Sequence, residues 1–314
     1  MNYTATALRH TGSAHRMCQD RCRMERRGDR LILTAADGHG GGPFVRSGLG
    51  ARFACTAAVR VLGDGLPAED VPAAIKRRYD TMVARHLEFR PLAPWELQRL
   101  DGRPPEAAYG TTLMAVSITE AGTALYQLGD GEVHIFDADG RLMDPLPADE
   151  QCQGHLTSSL CSSESSALAS FRMAVHPIPA AAVLMFTDGC EGGLIRAAAA
   201  LTAPEILEEG LLGMFAATRH GDDQTCLAAF DAEIVSGETF QAGLHWTLDN
   251  LRAKAKHQRQ EQSERAELAQ LQSYLSLALQ KARRMASGES KSYLNSLRPS
   301  VERYSMLRKK YHPC

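Results

Sequence analysis

The sequence predicts an α+β domain followed by a helical extension, and three observations carry that reading. Short apolar runs at Leu31 to Ala36, Ala124 to Leu128, Val183 to Thr187 and Cys226 to Phe230 have strand length and turn residues beside them. Stretches with small and apolar residues at helical spacing are interspersed among them. After about residue 240 the chain changes to helix formers with almost no Gly or Pro. The expected organisation is a domain at 1–240 and a basic helical extension at 241–314.

In chain order, the run from Leu31 ends in Asp37-Gly38, and the glycine-rich turn Gly40-Gly41-Gly42-Pro43 follows. Val45 to Leu62 predicts a helix, and Val71 to Leu87 a second. Arg90 to Ala108 carries four prolines and reads as a loop. Gly110 to Thr119 and Ala124 to Phe136 predict neighbouring antiparallel strands joined by Glu120-Ala121-Gly122. Gln151 to Ser170, rich in Ser and small residues, predicts an ordered surface loop with some helix. In the extension, Leu268, Leu271, Leu275, Leu279, Ala282 and Met285 form an apolar stripe that breaks at Ser287-Gly288. A second stripe, Tyr293, Leu297, Val301, Tyr304 and Leu307, contains Pro299, so its helix starts or kinks there. Two amphipathic helices of this kind suit a hairpin, packed on each other, on the body or on a protein partner.

At 314 residues the chain exceeds the usual single domain and can bury a sizeable core. It has no run of about twenty apolar residues, and Met1 to Thr11 lacks the basic-then-apolar order of a signal peptide, so a cytoplasmic protein without a membrane span is expected. Its eight cysteines (Cys18, Cys22, Cys55, Cys152, Cys161, Cys190, Cys226 and Cys314) form no Cys-x-x-Cys pair and no repeating spacing, which predicts reduced thiols and no zinc site. Charge divides sharply: residues 251–314 hold 14 Lys+Arg against 5 Asp+Glu, whereas residues 1–250 hold 21 against 32. The basic residues of the extension are spread around helical stripes with little aromatic interleaving, which favours a solvated or protein-docking face over nucleic-acid binding.

Asp-Gly is a common turn dipeptide because it supplies positive φ at low cost. The chain has six, and Asp64-Gly65, Asp101-Gly102 and Asp139-Gly140 lie in polar or Pro-rich surroundings that predict plain turns. Asp37-Gly38, Asp130-Gly131 and Asp188-Gly189 instead end apolar runs, and Asp222-Asp223 precedes one. If these strands pack together, their acids gather at one edge. Crowded carboxylates resist ionising unless cations hold them, so the cluster predicts divalent metal.

Taken in order, Gln19-Asp20, Asp37-Gly38-His39-Gly40-Gly41, Gly110-Thr111-Thr112, Gly129-Asp130-Gly131, Thr187-Asp188-Gly189 and Gly221-Asp222-Asp223-Gln224-Thr225 resemble the metal-dependent protein phosphatases of the type 2C family, in a compact bacterial style. The resemblance covers roughly residues 10 to 232. It implies two antiparallel sheets packed face to face with helices outside, a four-layer αββα sandwich with a metal site at one end. It also implies a Ser/Thr phosphoprotein phosphatase that uses two Mn or Mg ions, with attack on phosphorus by a metal-bridging water.

By that resemblance Asp37 bridges two ions and the Gly38 carbonyl ligates one, while Asp188 and Asp222 hold one ion and Gln19 and Asp20 the other. Asp130 with Asp188 is the place for a third ion, although the family's further aspartate is Gly192 here, beside Glu191. His39 takes the general-acid position. His15 stands where a phosphate-gripping arginine is frequent, with Arg16 beside it on the opposite face of an extended segment. Thr111 and Thr112 suit packing near the site as well as chemistry. The implied partners are a phosphorylated protein and a cognate Ser/Thr kinase. The alternative is a pseudophosphatase that binds phosphoproteins or a kinase with little turnover; His15 and the neutral Gln19 favour it, and the retained Asp37, Asp188 and Asp222 oppose it.

Overall fold

The body of the molecule pairs its strands into two antiparallel sheets. One sheet has the order β1 (Tyr3–His10), β9 (Gln224–Asp231), β8 (Ala182–Phe186), β6 (Glu132–Phe136). The other has the order β2 (Arg21–Arg27), β3 (Arg30–Ala36), β4 (Leu113–Thr119), β5 (Gly122–Leu128), β7 (Arg172–His176). The coordinates are a computed structural model and describe residues 2–143, 146, 157–190, 193–217, 221–285 and 287–312. Two compact units divide the chain, Met1–Leu248 and Asp249–Cys314.

Side-chain alternation explains why the strands read as continuously apolar. Leu31, Leu33 and Ala35 of β3 enter the core between the sheets with Val183, Met185, Leu227 and Ala229 of the other sheet. Ile32 and Ala36 point the other way, into a core shared with α1 (Ser47–Gly63) and α2 (Val71–Phe89). On the far side, Leu184, Phe186, Ala228 and Phe230 pack beneath α5 (Leu194–Ala200), α6 (Leu207–Ala217) and the start of α8 (Glu238–Ala282). Helix, sheet, sheet and helix form the four expected layers. Both faces of the central strands are dry, which removes the polar alternation of a half-exposed sheet.

Register decides where the acids emerge. Arg21 pairs with Ala36, Met114 with Ala35, and Leu113 with Leu128, so the start of β2, the end of β3, the start of β4 and the end of β5 share one end of their sheet. In the second sheet Phe186 pairs with both Glu132 and Cys226, and His10 with Gln224. The end of β8 and the starts of β6 and β9 therefore lie together as well. Every acidic segment singled out in the sequence flanks one of these strand ends.

Two expectations differ from the fold. The proline-rich stretch 90–108 is not only loop: it contains α3 (Pro94–Leu100) and the start of a 3₁₀ turn, Pro105–Tyr109. Pro94 and Pro105 sit at the first turn of each, where a missing N–H costs nothing. The stretch Ala124 to Phe136 is two strands rather than one, because Gly129, at φ 104°, turns the chain out of β5 and into β6 of the other sheet. Asp64-Gly65, Asp101-Gly102 and Asp139-Gly140 are turns, with their glycines at φ 70°, 77° and 73°.

The short helices α4 (Glu164–Ser170) and α7 (Ala232–Val235) complete the first unit. Of the serine-rich stretch 151–170, residues 151–156 lie outside the described residues, as do Glu191, Gly192, Cys152 and Cys314. The six described cysteines are free thiols. In the second unit, α9 (Ser287–Ser296) starts at the predicted break and α10 (Arg298–Tyr311) starts at the predicted proline. Arg303 donates to Glu267 at 2.8 and 2.6 Å, and Lys310 to Glu264 at 2.7 Å, so α10 pairs with α8 as a hairpin. No helix among the described residues is long and apolar enough to cross a membrane.

Leu33 is fully buried between the sheets. Leu33→Ala is expected to lower the unfolding free energy by about 3 kcal/mol, measured as a shifted denaturant midpoint with an unchanged slope.

Candidate metal centre

Asp37 follows the last residue of β3, and its backbone is pinned from β4. Thr111 Oγ1 and Thr112 N donate to the Asp37 carbonyl at 2.7 and 2.9 Å, and Asp37 N donates to Thr112 Oγ1 at 3.0 Å. The two threonines thus position Asp37 through its backbone. The next residue, Gly38, packs so closely that a Cβ there would lie 2.9 Å from the Gln19 carbonyl oxygen. Only glycine fits that approach.

Asp20, fully buried ahead of β2, accepts a hydrogen bond from Thr187 Oγ1 at 2.8 Å. Thr187 Oγ1 in turn accepts from Thr225 N at 2.9 Å, so one hydroxyl joins the end of β8 and the start of β9 to the acid of the opposite sheet. Asp37 interacts with the carboxyls of both Asp20 and Asp188. Asp188 in turn feels the charges of Asp130 and Asp222. Asp20, Asp37 and Asp188 therefore form a chain of neighbours, and Asp130 and Asp222 flank it.

The electrostatics follow from this crowding. Burial pushes the Asp20 carboxyl up to about 6, with the Asp223 charge adding to the rise. Burial, then the charges of Asp20 and Asp188, holds Asp37 well above the usual carboxylate range. Asp188 is raised by desolvation and by Asp130. Hydrogen bonds to Asp37 offset part of the rise at Asp20 and at Asp188, so the cost of ionisation falls most heavily on Asp37.

His39 is buried, its N–H donating to the Gly110 carbonyl at 3.1 Å and its ring meeting Phe44 edge-on at 5.0 Å. Burial drops its pKa to about 4, opposed by the charge of Asp130, and its Nε2 has no hydrogen-bond partner. His39, Asp37, Asp130, Asp188 and Asp222 all border one cleft of about 770 Å³. Phe44, Arg103 and the hydroxyl-bearing segment Thr157, Ser159, Ser162 and Ser163 line the rest of it.

The phosphate-binding positions expected from the sequence, His15 and Arg16, lie beside the acids rather than in the lining of the cleft. His15 Nδ1 is 3.0 Å from Asp223 Oδ2 and 3.9 Å from Asp222 Oδ1, without the alignment of a hydrogen bond. Arg16 is exposed, and neither residue borders the cleft. The reason is Asp223, whose carboxylate accepts from Gly12 N at 2.8 Å and Gln19 N at 2.6 Å and so curls segment 12–19 around itself. In the sequence Asp223 stands out only as half of the Asp222-Asp223 pair, with no role apart from its neighbour. The signal was available, because adjacent acids ahead of a strand face opposite ways and one must turn inward. In the sequence Thr187 and Thr225 are marked only as neighbours of the acidic motif residues.

The donor set suits a hard divalent cation: aspartate carboxylates and a backbone carbonyl, with no thiol or imidazole required. Asp20 Oδ1 and Gln19 Oε1 are buried with no hydrogen-bond partner, the condition a cation would relieve. Among the described residues no three His, Cys, Asp or Glu side chains converge into a ready coordination shell. Asp37, Asp20, Asp188 and Asp222, with Gln19 and the Gly38 carbonyl, are the groups that would hold Mn or Mg.

A second network sets the opposite wall of the cleft. Arg46, at the start of α1, grips Glu96 of α3 with two bonds of 2.8 and 2.7 Å and donates to Tyr109 Oη at 2.8 Å. Its backbone N–H donates to the Ala108 carbonyl at 2.8 Å. Segment 90–109 is thereby tied to the turn that carries His39 and Phe44.

A family model for Protein phosphatase 2C matches residues 9–219, and the chain belongs to that family. The catalytic domain of the serine threonine protein phosphatase PstP in complex with 2 manganese ions is similar in fold, at 19% identity and TM-score 0.53, covering 73% of this chain and 99% of that one. PstP/Ppp of Mycobacterium tuberculosis matches with the same values. PppA, a regulatory component of T6SS in Pseudomonas aeruginosa, matches at 13% identity and TM-score 0.52 over 73% of this chain and 98% of its own. No curated protein matches the chain.

Because the folded-state pKa values of Asp20, Asp37 and Asp188 are raised, the folded chain binds more protons than the unfolded chain between about pH 4 and pH 6. Their contribution is therefore present below the unfolded values and lost as pH rises through the folded ones. In chelator, Asp37→Asn is expected to raise the melting temperature at pH 7.5 and to change it little at pH 4. Thermal melts at the two pH values check this, and added Mn is expected to reverse the order at pH 7.5.

Proposed function

We propose that the chain is a Mn- or Mg-dependent protein serine/threonine phosphatase acting on phosphoserine and phosphothreonine in proteins. The observation that carries this reading is the convergence of Asp37, Asp188, Asp222 and His39 on one cleft at a single end of the sandwich, with Asp20 buried directly behind Asp37. When bound, the two cations supply Lewis acidity toward the phosphoryl oxygens and activation of the attacking water. Asp37, Asp188, Asp222, Asp20, Gln19 and the Gly38 carbonyl are the groups that would hold them. Asp130 is kept for a third ion shared with Asp188. Membership of the phosphatase family and the oxygen-only donor set support these assignments.

His39 is assigned to protonate the departing Ser or Thr oxygen. Its low pKa means that the ring is neutral at pH 7, and an approaching phosphate dianion would raise it toward the protonated form the step needs. Phe44 holds the ring edge-on, and Nε2 is buried without a hydrogen-bond partner. Residues 1–240 are the proposed catalytic domain, and 241–314 carry none of this chemistry.

The second reading, phosphoprotein binding with little turnover, is favoured by one observation: His15 lies against Asp223 and does not line the cleft. Hydrolysis separates the two. Purified protein with Mn is expected to release phosphate from a phosphothreonine peptide, and Asp37→Asn to abolish the release; absence of Mn-stimulated hydrolysis in the wild type overturns the enzyme reading. His39→Asn is expected to slow hydrolysis of phosphoserine peptides about 100-fold while leaving p-nitrophenyl phosphate, whose leaving group needs no proton, within a few-fold. Equal losses on both substrates would remove the general-acid role.

A further inference from the structure

Four aspartates border the cleft, Asp37, Asp130, Asp188 and Asp222, and among the described residues that line it Arg103 is the one Lys or Arg. Arg103 is exposed and makes no ion pair and no side-chain hydrogen bond with the described residues. Its guanidinium lies 5.9 Å from the centre of the Phe44 ring, and that ring contacts His39. A guanidinium resting on an aromatic face keeps its N–H donors free at the edge.

The backbone holds Arg103 at this place. Asp101 and Gly102 adopt left-handed conformations at φ 51° and 77°, Arg103 N donates to the Leu100 carbonyl at 3.0 Å, and Pro104 and Pro105 follow. The helix just before it is fastened by the Arg46–Glu96 pair. Across the cleft, Arg103 is near enough to Cys161, beside Ser159 and Ser162, for its charge to act on that thiol. The cation is therefore presented to the cleft from its own wall, independently of segment 12–19. That segment's candidate, His15, is occupied by Asp223.

We propose that Arg103 binds the phosphoryl group of the substrate in this cleft, in place of a cation from the N-terminal segment. The inference rests on the reading of the cleft as a phosphoprotein site and extends it to a residue on a different wall. A planar fork of donors matches two phosphoryl oxygens at once, and the positive charge offsets part of the repulsion that four aspartates exert on an entering phosphate. Phe44 lies between Arg103 and His39, so the groups proposed for the phosphoryl oxygens and for the leaving oxygen share one aromatic neighbour.

The test measures binding separately from turnover. For the Mn-loaded protein, the affinities for inorganic phosphate and for a phosphothreonine peptide are measured by calorimetry for the wild type, Arg103→Ala and Arg103→Lys, together with kcat and KM. Arg103→Ala is expected to weaken both phosphate and peptide binding about 10- to 100-fold, with unchanged Mn affinity and melting temperature. Arg103→Lys, which keeps the charge and loses the fork, is expected to fall between the two. Phosphate affinity within twofold of wild type in Arg103→Ala overturns the proposal, as does a loss confined to the peptide, which would place Arg103 on a flanking residue. A wild type that binds phosphopeptide through Arg103 without hydrolysing it would sustain this inference while the enzyme reading fails. A wild type that binds neither ligand overturns it.

Discussion

Repulsion among acids held at one end of two facing sheets is the constraint from which the rest of this structure follows. Antiparallel register brings the ends of β3 and β8 and the starts of β2 and β9 to the same edge, and each delivers an aspartate there. Left alone, such groups would splay apart or draw in water. The chain counters this with fixed backbone partners rather than with basic side chains. Thr111 and Thr112 clamp the Asp37 peptide, Thr187 and Thr225 hold Asp20, and Asp223 gathers the amides of Gly12 and Gln19. None of these bonds neutralises charge, so the cluster stays electron-rich and suited to cations.

The cleft is asymmetric in consequence. One side is carboxylate, built from strand ends that the two-sheet core makes rigid. The other is aromatic and basic, built from Phe44, Arg103 and the 90–109 segment that Arg46 and Glu96 lock in place. The largely buried Arg46–Glu96 pair is more than a surface ion pair, because its two parallel bonds and the Tyr109 hydroxyl tie three stretches of chain that are distant in sequence. A phosphorylated loop entering this cleft would meet the acids from one side and the guanidinium from the other.

Much of this was legible in the residues. The alternation that buries Leu31, Leu33 and Ala35 toward one layer and Ile32 and Ala36 toward another appears in the sequence as an unbroken apolar run, and the Asp-Gly step beyond it marks the strand's end. Plain and site-bearing Asp-Gly turns could be told apart by whether such a run precedes them. The 90–108 segment was less legible, because four prolines mask a helix that places Pro94 where proline is tolerated. The sheet change at Gly129 was hidden for a similar reason: local propensity describes a strand and not the partner it pairs with.

His15 shows the limit most clearly. Its spacing from Gln19 suggested a phosphate contact, and only the fold reveals the Asp223 carboxylate, more than two hundred positions away, beside its ring. Arg103, in turn, carries no motif at all. By itself the sequence determined the strand ends and the acids that belong to them, because burial period and turn chemistry are local properties, whereas the layer order followed from the resemblance to the phosphatase family. The tertiary structure alone decided which acid turns inward, which cation faces the cleft and how strongly the carboxylates oppose ionisation, because those depend on distances between segments that the chain joins only when it folds.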